Sequence, residues 1–296
     1  SADVLEQLAH AGLRDFYRGD VSREMAADLE RLRAPLMRSD FEKYEARIGK
    51  ALAWRDGLQN FFAVSAPSLG LGHLLSHAIQ KRIETSWRQE EVALHAALEA
   101  SKKALPMGAA FARDPSTLDD KPEAFLREAF VEAQANQMAR DRAESSRFAP
   151  DFPQSLSLCA ADDRGYVAVL TCSMGDAFGA GLVLPKTGLL LNNAARFFSL
   201  DPRAPHELAP LRKVPFMGSP MLSVHDEGQI LALGSGCVDV DTQILARLHA
   251  GQSLAKALEA PRMRVGEKMH VSYEDRFDPT TLRGLNKRGH DLNAAT

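Results

Sequence analysis

The sequence predicts an α+β fold, with a helical first half followed by a half rich in β-strands. In the first half, apolar residues recur with the 3.6-residue period of helices. In the second half, several segments alternate polar and apolar residues with the two-residue period of strands. The chain has 296 residues, 45% of them hydrophobic, which is enough for a large buried core. Clustered strands with helices elsewhere are typical of layered α+β folds.

The first half is predicted to be mainly helical, with one early hairpin. Ser39, followed three residues later by Glu42, forms a capping box that predicts a helix start. Asp56-Gly57 between apolar runs predicts the turn of a β-hairpin. Periodicity places the helices at 3–18, 21–33, 39–47, from about His73, 86–104 and 121–146, with Pro150 to Phe152 ending this part.

The second half is predicted to supply most of the strands. Turn signals such as Asp162 to Gly165 separate its alternating segments. The expected strands are 155–160, 166–173, 178–184, 187–193, 220–224, 229–234 and 269–273. The expected helices are 240–250, 253–258 and 279–288.

Composition excludes several classes of protein. The formal net charge is −3, so no global field attracts nucleic acid or an anionic membrane. No apolar run approaches the ~20 residues that span a bilayer. Three cysteines without a paired spacing argue against a disulfide framework and a zinc site, and we expect neither a metal nor another cofactor. No signal peptide opens the chain, so we expect the protein in the cytoplasm, with the periplasm as the alternative location.

The segments around Ser155 carry a more specific signal. An alternating strand from Ser155 leads through an Asp-Asp-Arg-Gly turn into a Val-rich strand that ends at Ser173. Phe178-Gly-Ala-Gly, Gly188-Leu-Leu-Leu-Asn-Asn, Leu208-Ala-Pro-Leu-Arg-Lys and Glu259-Ala-Pro-Arg follow in order. Together with upstream segments such as Asp15-Phe-Tyr-Arg-Gly, this order resembles the gamma-glutamyltranspeptidase family over nearly the whole chain.

That resemblance implies an αββα four-layer sandwich of the N-terminal-nucleophile hydrolase type. Residues 1–154 would correspond to the family's large subunit and residues 155–296 to its small subunit, together forming one domain. The family's N-terminal portion, which supplies part of the sandwich and an Arg for the substrate carboxylate, has no counterpart before Ser1. A homodimer, or a partner chain that supplies this portion, is therefore among the expected partners.

The family's chemistry uses a hydroxyl beside a new α-amine. The chain cleaves itself before a Thr, whose freed amine, with an ordinary pKa of about 8, then serves as the base. Ser155 matches that nucleophile, and the other interpretation of Ser155 is a polar strand residue. Ser173 matches a second family Thr that orients the nucleophile.

The departures from the family concentrate where substrate should bind. Asn193 is kept, but Gly175 replaces a family Asn, and Ala194 and Phe197 replace polar side chains that hold the substrate α-amino group. None of the three replacements offers an acceptor side chain for an ammonium group. A turn at the end of a strand is the alternative explanation for Asn192-Asn193.

The family's oxyanion hole uses the backbone amides of a Gly-Gly pair, which Cys237 and Val238 replace here. Backbone donors survive a change of side chain, but a β-branched Val cannot readily take a positive φ. If the family needs its glycines for conformation, the hole is expected to be distorted.

Two functions follow from these observations. The first is a gamma-glutamyltranspeptidase-like amide hydrolase or acyltransferase with altered acyl specificity, acting on a small amide or peptide after cleavage before Ser155. The second is an uncleaved, non-catalytic relative that acts as a binding or structural subunit. A role in glutathione metabolism is implied for the family that the chain resembles, and not by the residues of this chain.

Overall fold

The computed structural model describes residues 2–83, 87–148 and 155–295. By their contacts, these residues form two compact units. The first consists of Ser1–Gly49 and Met174–Ala195, and the second of Lys50–Ser173 and Arg196–Thr296. Residue 154, the predicted boundary, lies outside the described residues, as do Pro150 to Phe152 and the predicted helix start at Ser86. The predicted domain division therefore stays a prediction.

The first unit contains four short helices: α1 (Ala2–Ala11), α2 (Asp15–Arg18), α3 (Asp20–Arg31) and α4 (Arg38–Lys43). The predicted single helix over 3–18 is wrong, because Gly12 takes a positive φ of 88° between α1 and α2. The predicted cap at Ser39 is also wrong, because the carboxylate of Asp40 accepts the backbone amide of Met37 at 2.8 Å. Val21, Met25, Leu29 and Leu184 form a small core in this unit.

The predicted strands at 178–184 and 187–193, also in this unit, are reduced to one isolated bridge between Val183 and Leu190. Gly179, Gly181 and Gly188 take φ values of 52°, 65° and 64°. These left-handed positions turn the chain repeatedly, so an extended ladder does not form.

The second unit contains a four-stranded antiparallel sheet and several helices that pack on it or on one another. The sheet has the order β1 (Leu52–Asp56), β2 (Gln59–Ala63), β5 (Met221–His225) and β6 (Ile230–Leu233). The predicted hairpin around Asp56-Gly57 is confirmed by the β1–β2 pairing, and the predicted strands 220–224 and 229–234 are confirmed as the antiparallel pair β5–β6.

Helices α5 (Gly70–Lys81), α6 (Glu90–Phe111) and α8 (Val238–His249) pack on one another, and α5 also packs on β1 and β2. Their buried side chains form the largest apolar core of the described residues. A Cβ atom added at Gly108 would lie 2.5 Å from the Cα atom of Gly72, so α5 and α6 approach closely at this point.

Two further sheets complete the second unit. Strands β3 (Ser155–Ala161) and β4 (Val167–Ser173) form an antiparallel hairpin, as predicted. Strands β7 (Met263–Val265), β8 (His270–Tyr273) and β9 (Asp291–Ala294) form a three-stranded sheet in which β8 and β9 are parallel.

The remaining helices are α7 (Glu128–Asn136), α9 (Leu254–Glu259) and α10 (Pro279–Lys287). The predicted helix over 121–146 is wrong, because Lys121 and Arg127 are extended and flank a short 3-10 turn, Pro122–Leu126. Among the described residues, no helix combines the length and the apolar composition of a membrane span.

Candidate active site

The β3–β4 hairpin has one polar face that carries four hydroxyl groups. Side chains alternate between the two faces of a strand, so Ser155, Ser157, Thr171 and Ser173 point to the same side. Ser155 pairs directly with Ser173, and Ser157 pairs with Thr171. The hydroxyl oxygens of Ser157 and Thr171 lie 2.8 Å apart. The structure thus brings the two predicted catalytic serines together at the open end of the hairpin.

The loop that follows β6 lies against this polar face. A Cβ atom added at Gly236 would lie 2.8 Å from the Cβ atom of Ser155, and one at Gly234 would lie 2.9 Å from the hydroxyl of Ser157. Gly236 also takes a positive φ of 76°. Backbone can approach Ser155 this closely only where the side chain is a hydrogen atom.

Cys237 and Val238, the predicted oxyanion donors, begin helix α8. Cys237 is its extended N-cap with φ of −135°, and Val238 is its first residue, so neither needs a left-handed conformation. The left-handed position of the loop falls on Gly236 instead. The Val238 amide is among the first amides of α8, which have no carbonyl partner within the helix.

The Cys237 amide is already engaged. It donates to the Ser235 hydroxyl oxygen at 3.1 Å, and that hydroxyl donates to the Cys237 carbonyl at 2.9 Å. Burial raises the pKa of the Cys237 thiol to about 11. The thiol is therefore protonated near neutral pH, which makes it a poor nucleophile.

Two buried titratable groups lie behind this loop. The Asp241 carboxylate accepts the Ser235 amide at 3.4 Å, and its second contact is the His73 ring, with Oδ2 and Nε2 3.7 Å apart. The other ring nitrogen of His73, Nδ1, donates to the Ser219 carbonyl at 3.0 Å. Burial raises the pKa of Asp241 to about 7 and lowers the pKa of His73 to about 4. At neutral pH the histidine is uncharged, and the two groups do not form an ion pair.

Three of the predicted substrate-binding residues belong to the first unit. Gly175 has a positive φ of 85°, and a Cβ atom there would lie 2.7 Å from the carbonyl carbon of Asn193, so this backbone leaves no room for a side chain. The Asn193 side chain donates to the Asp176 carboxylate at 2.6 Å. The Ala194 amide donates to the side-chain oxygen of Asn192, as in an Asx-turn.

Phe197, the fourth predicted substrate-binding residue, belongs to the second unit. It is half-buried and ends a short 3-10 turn, Ala194–Phe197. The Arg196 guanidinium lies over its ring, 5.2 Å from the centroid. None of the four residues presents a carboxylate of its own.

His95, Glu99 and His290 form the one group of three or more described residues whose donor atoms lie close enough to hold a metal ion, within 4.8 Å of one another. Lys102 lies among them, donating to Glu99 at 2.7 Å, to the Glu144 carbonyl at 3.0 Å and to His290 at 3.4 Å. His290 in turn contacts His95 at 2.9 Å. An ammonium group in this position competes with a cation, so these donors do not fit a metal ion.

Sequence analysis missed Ser157, Thr171 and Asp241. The signal for the first two was present, because each lies two residues along the strand from a predicted catalytic serine. Asp241 gave no such signal, because its contact with the loop at Ser235 arises from tertiary packing at the start of α8.

The family model described as gamma-glutamyltranspeptidase matches residues 1–296. The chain is 26% identical to the oxamate amidohydrolase proenzyme of Klebsiella pneumoniae, over 98% of this chain and 57% of that protein. It is 24% identical to the glutathione hydrolase proenzyme of Escherichia coli, over 98% of this chain and 55% of that protein. The chain thus spans about half the length of these relatives.

The crystal structure of a cephalosporin acylase from Bacillus halodurans is similar in fold. It superposes with a TM-score of 0.90 at 22% sequence identity, covering 100% of this chain and 55% of that one. This likeness confirms the predicted fold class.

Proposed function

Because the chain belongs to the gamma-glutamyltranspeptidase family, we propose that it is an amide hydrolase or acyltransferase in which Ser155 is the nucleophile. The observation that carries this proposal is the hairpin register. Ser155 lies directly opposite Ser173, and the loop leading into α8 is packed against Ser155. The relatives named as proenzymes support cleavage of the chain before Ser155.

The proposed reaction begins when the α-amine freed by cleavage takes the proton from the Ser155 hydroxyl. The hydroxyl oxygen then bonds to the carbonyl carbon of the substrate amide, and the negative charge passes to the carbonyl oxygen. As the C–N bond breaks, the protonated amine returns its proton to the leaving nitrogen. Water, or an acceptor amine, then releases the acyl group from Ser155. Ser173 orients the nucleophile without taking part in bond making.

The oxyanion is proposed to bind the Val238 amide first. That amide belongs to the N-terminus of α8, where the helix dipole favours negative charge. The Cys237 amide can donate to the oxyanion only after its hydrogen bond to the Ser235 hydroxyl has broken. Backbone donors aimed at the developing charge are commonly the largest single contribution to such reactions.

The proposed substrate is a small amide or peptide whose acyl group is smaller or more apolar than γ-glutamyl. Ala194 and Phe197 carry no acceptor for an ammonium group, and the Asn193 side chain is engaged by Asp176. Losing paired contacts to a buried charge costs about 2–5 kcal/mol, enough to reduce turnover by a large factor. We therefore expect little transfer from a γ-glutamyl anilide to dipeptides, and rapid release of the anilide chromophore would contradict this specificity.

The test uses the purified protein. Mass spectrometry should find a fragment that begins at Ser155, and a panel of small amides and peptides should identify one that is cleaved with release of its amine or of ammonia. Ser155→Ala should abolish both cleavage and turnover, because one residue supplies the hydroxyl and the new amine. Ser173→Ala should slow both by roughly 10²–10³-fold, the usual cost of one lost donor.

Cys159→Ser is the matched control, because Cys159 lies on the same hairpin and is exposed. This variant should cleave and react like the parent. Turnover by an uncleaved Ser155→Ala protein would overturn the assignment of the nucleophile.

The competing function is a non-catalytic subunit, and the engagement of the Cys237 amide by Ser235 favours it. In that case the natural protein should stay intact. Ser155→Ala and Ser173→Ala should then fold like the parent and change nothing that can be measured.

A second proposal concerns the outer face of the β3–β4 hairpin. This face consists entirely of apolar side chains: Leu156, Leu158, Ala160, Ala168, Leu170 and Cys172. The three leucines are 64%, 56% and 56% exposed. A contiguous exposed apolar face is typical of a surface that another protein, a membrane or a ligand covers. We propose that it is covered by the portion of the family chain that this sequence does not span, since about half of each relative's length is unmatched.

Light scattering on the chain alone and with that portion tests this proposal. Binding of the portion should be lost in Leu158→Asp, with the exposed Leu254→Asp as a matched control. A homodimer of the chain alone that Leu158→Asp dissociates would overturn the proposal.

A further inference from the structure

A small cavity of about 250 Å³ in the second unit carries an excess of positive charge. It lies between the segment that follows α6 and the segment 198–213. Its lining includes four basic side chains, Arg113, Arg203, Arg212 and Lys213. His206 also lines it, and its two carboxylates are Asp114 and Glu207. None of these residues belongs to the candidate active site.

The carboxylate of Asp114 is committed to the local backbone. One oxygen accepts the Ser116 amide at 2.8 Å and the Ser116 hydroxyl at 2.7 Å. The other accepts the Lys213 amide at 2.7 Å, which ties the two walls of the cavity together. Burial acts to raise the pKa of Asp114, but these hydrogen bonds and the nearby charge of Arg212 together lower it. Asp114 therefore builds the cavity, while its hydrogen bonds go to neutral donors rather than to the cationic side chains.

Two of the cations do have anionic or polar partners. Arg203 forms a two-point contact with Asp201, at 3.1 and 3.2 Å. Arg212 lies 3.7 Å from Glu207 and donates to the Ser116 hydroxyl at 3.2 Å. These contacts leave the charges of Arg113 and Lys213, which exceed that of the Asp114 carboxylate by one.

Neither side chain has an ion-pair partner in the part of the chain that the structure describes. The Nε atom of Arg113 is buried and has no hydrogen-bond acceptor among the described residues. Arg113 and Lys213 are both half-buried, so their charges are partly removed from water. Partly buried cations without a counter-ion are costly, and an anion that enters the cavity removes this cost.

A second cavity, of about 220 Å³, provides a contrast. It also contains two arginines, Arg262 and Arg264. There, however, a carboxylate lies within 4 Å of each guanidinium: Glu274 at 3.7 Å from Arg262 and Asp239 at 3.5 Å from Arg264. The arginines of this second cavity thus have carboxylates beside them, whereas Arg113 in the first cavity has no ion-pair partner among the described residues.

We propose that the cavity between 113–117 and 198–213 binds a small oxyanion, a phosphate or a carboxylate, through Arg113 and Lys213. The planar guanidinium of Arg113 can contact two oxygens at once, and Lys213 supplies a point charge opposite. A volume of about 250 Å³ lies just below the usual range for ligand pockets, so the ligand is small. Bound there, the anion would join the 198–213 segment to the end of α6. This site is independent of the reaction proposed for Ser155.

The proposal is tested by calorimetric titration of the protein with inorganic phosphate and, separately, with succinate, at constant ionic strength. Saturable binding of either anion is expected, and the preferred anion identifies the ligand class. Arg113→Gln and Lys213→Gln should each weaken binding by about tenfold or more, as expected for one lost charge-assisted hydrogen bond.

Arg262→Gln is the matched control and should bind like the parent. If Arg113→Gln fails to fold, as judged by circular dichroism, Lys213→Gln decides the outcome. Absence of saturable binding of both anions would overturn the proposal, as would equal binding by Lys213→Gln and the parent.

Discussion

Ser155 and Ser173 oppose each other because the turn between β3 and β4 sets a register in which the two ends of the hairpin meet. Asp162 holds that turn, and its side chain accepts the amides of Arg164 and Tyr166 at 3.0 and 2.9 Å. A one-residue slip of either strand would send the hydroxyls of that strand to the opposite face and separate them from those of its partner. The alignment of the two candidate catalytic residues therefore rests on a turn at the far end of the hairpin.

Asp241 is a second residue whose behaviour depends on its surroundings. Burial raises its pKa from an ordinary 3.8 to about 7, so the folded chain retains a proton there that the unfolded chain has lost. Stability from this group is present below about pH 4 and is lost as the pH rises toward 7. Asp241→Asn, which is neutral at every pH, should be more stable than the parent, by an amount that grows from pH 4 to pH 7.

Chemical denaturation at a series of pH values measures this difference. Asp119→Asn, at an exposed carboxylate, is the control and should match the parent throughout. An Asp241→Asn protein that is less stable than the parent at pH 8 would show instead an ionised Asp241 paired with His73.

At the scale of elements, the loop from Gly234 to Cys237 connects the four-stranded sheet to helix α8 and lies against the hairpin. Its conformation depends on Gly236, which combines a positive φ of 76° with close contact to Ser155. The Ser235 hydroxyl closes the loop through its two hydrogen bonds with Cys237. The loop leads directly into the first turn of α8, whose amides are the proposed oxyanion donors.

Gly236→Ala should destabilise the protein and reduce any Ser155-dependent activity. The left-handed conformation alone costs a residue with a Cβ atom about 1–2 kcal/mol. Contact with Ser155 adds to this cost and displaces the loop. Gly289→Ala separates the two effects, because Gly289 lies outside this loop and hairpin, has φ of 90°, and has no described atom within 4 Å of an added Cβ atom.

Thermal unfolding and turnover are measured for both variants. Gly289→Ala should lose stability only, whereas Gly236→Ala should lose stability and at least tenfold in turnover. Equal turnover in the two variants would mean that the loop is not part of the site.

At the scale of the whole chain, several ionisable groups are buried. His73, His77, His95 and His290 are nearly inaccessible to water, and burial lowers the pKa of each. The values for His73 and His95 are about 4, and that for His290 is about 3. Glu99, Asp239 and Asp241 are buried carboxylates whose pKa values burial raises.

The histidines make the protein sensitive to acid. Below about pH 6.5 the unfolded chain binds protons at these rings that the folded chain excludes, so stability falls as the pH drops toward 4. The buried carboxylates oppose this trend, but they are fewer than the histidines. The free energy of unfolding, measured by denaturant titration at pH 7, 6, 5 and 4.5, should therefore decrease steadily. Constant stability over this range would contradict the prediction.

His77 offers a direct variant. Both of its ring nitrogens are buried and have no hydrogen-bond partner among the residues that the structure describes, and its ring contacts Trp54 and Phe61. His77→Phe should raise stability and reduce its dependence on acid, because it replaces an unsatisfied polar ring with an apolar ring of similar shape. The exposed His10→Gln is the control and should change neither.

The sequence by itself determined the family, the fold class, most helices, both hairpins of the main sheet and the strands that carry Ser155 and Ser173. These features depend on local periodicity, on turn residues and on motif order, which are written in consecutive residues. The same signals failed at 178–193, where glycines with positive φ turn the chain, and at 121–146, where extended residues interrupt the helix.

Only the tertiary structure decided how distant segments meet. It showed that Gly236, rather than Val238, takes the left-handed position, and that Asp241 and His73 lie behind the loop. It also showed that Asn193 is engaged by Asp176, and that Arg113 and Lys213 share a cavity from positions a hundred residues apart. Periodicity cannot report these facts, because desolvation and contact depend on packing between elements that are far apart in the chain.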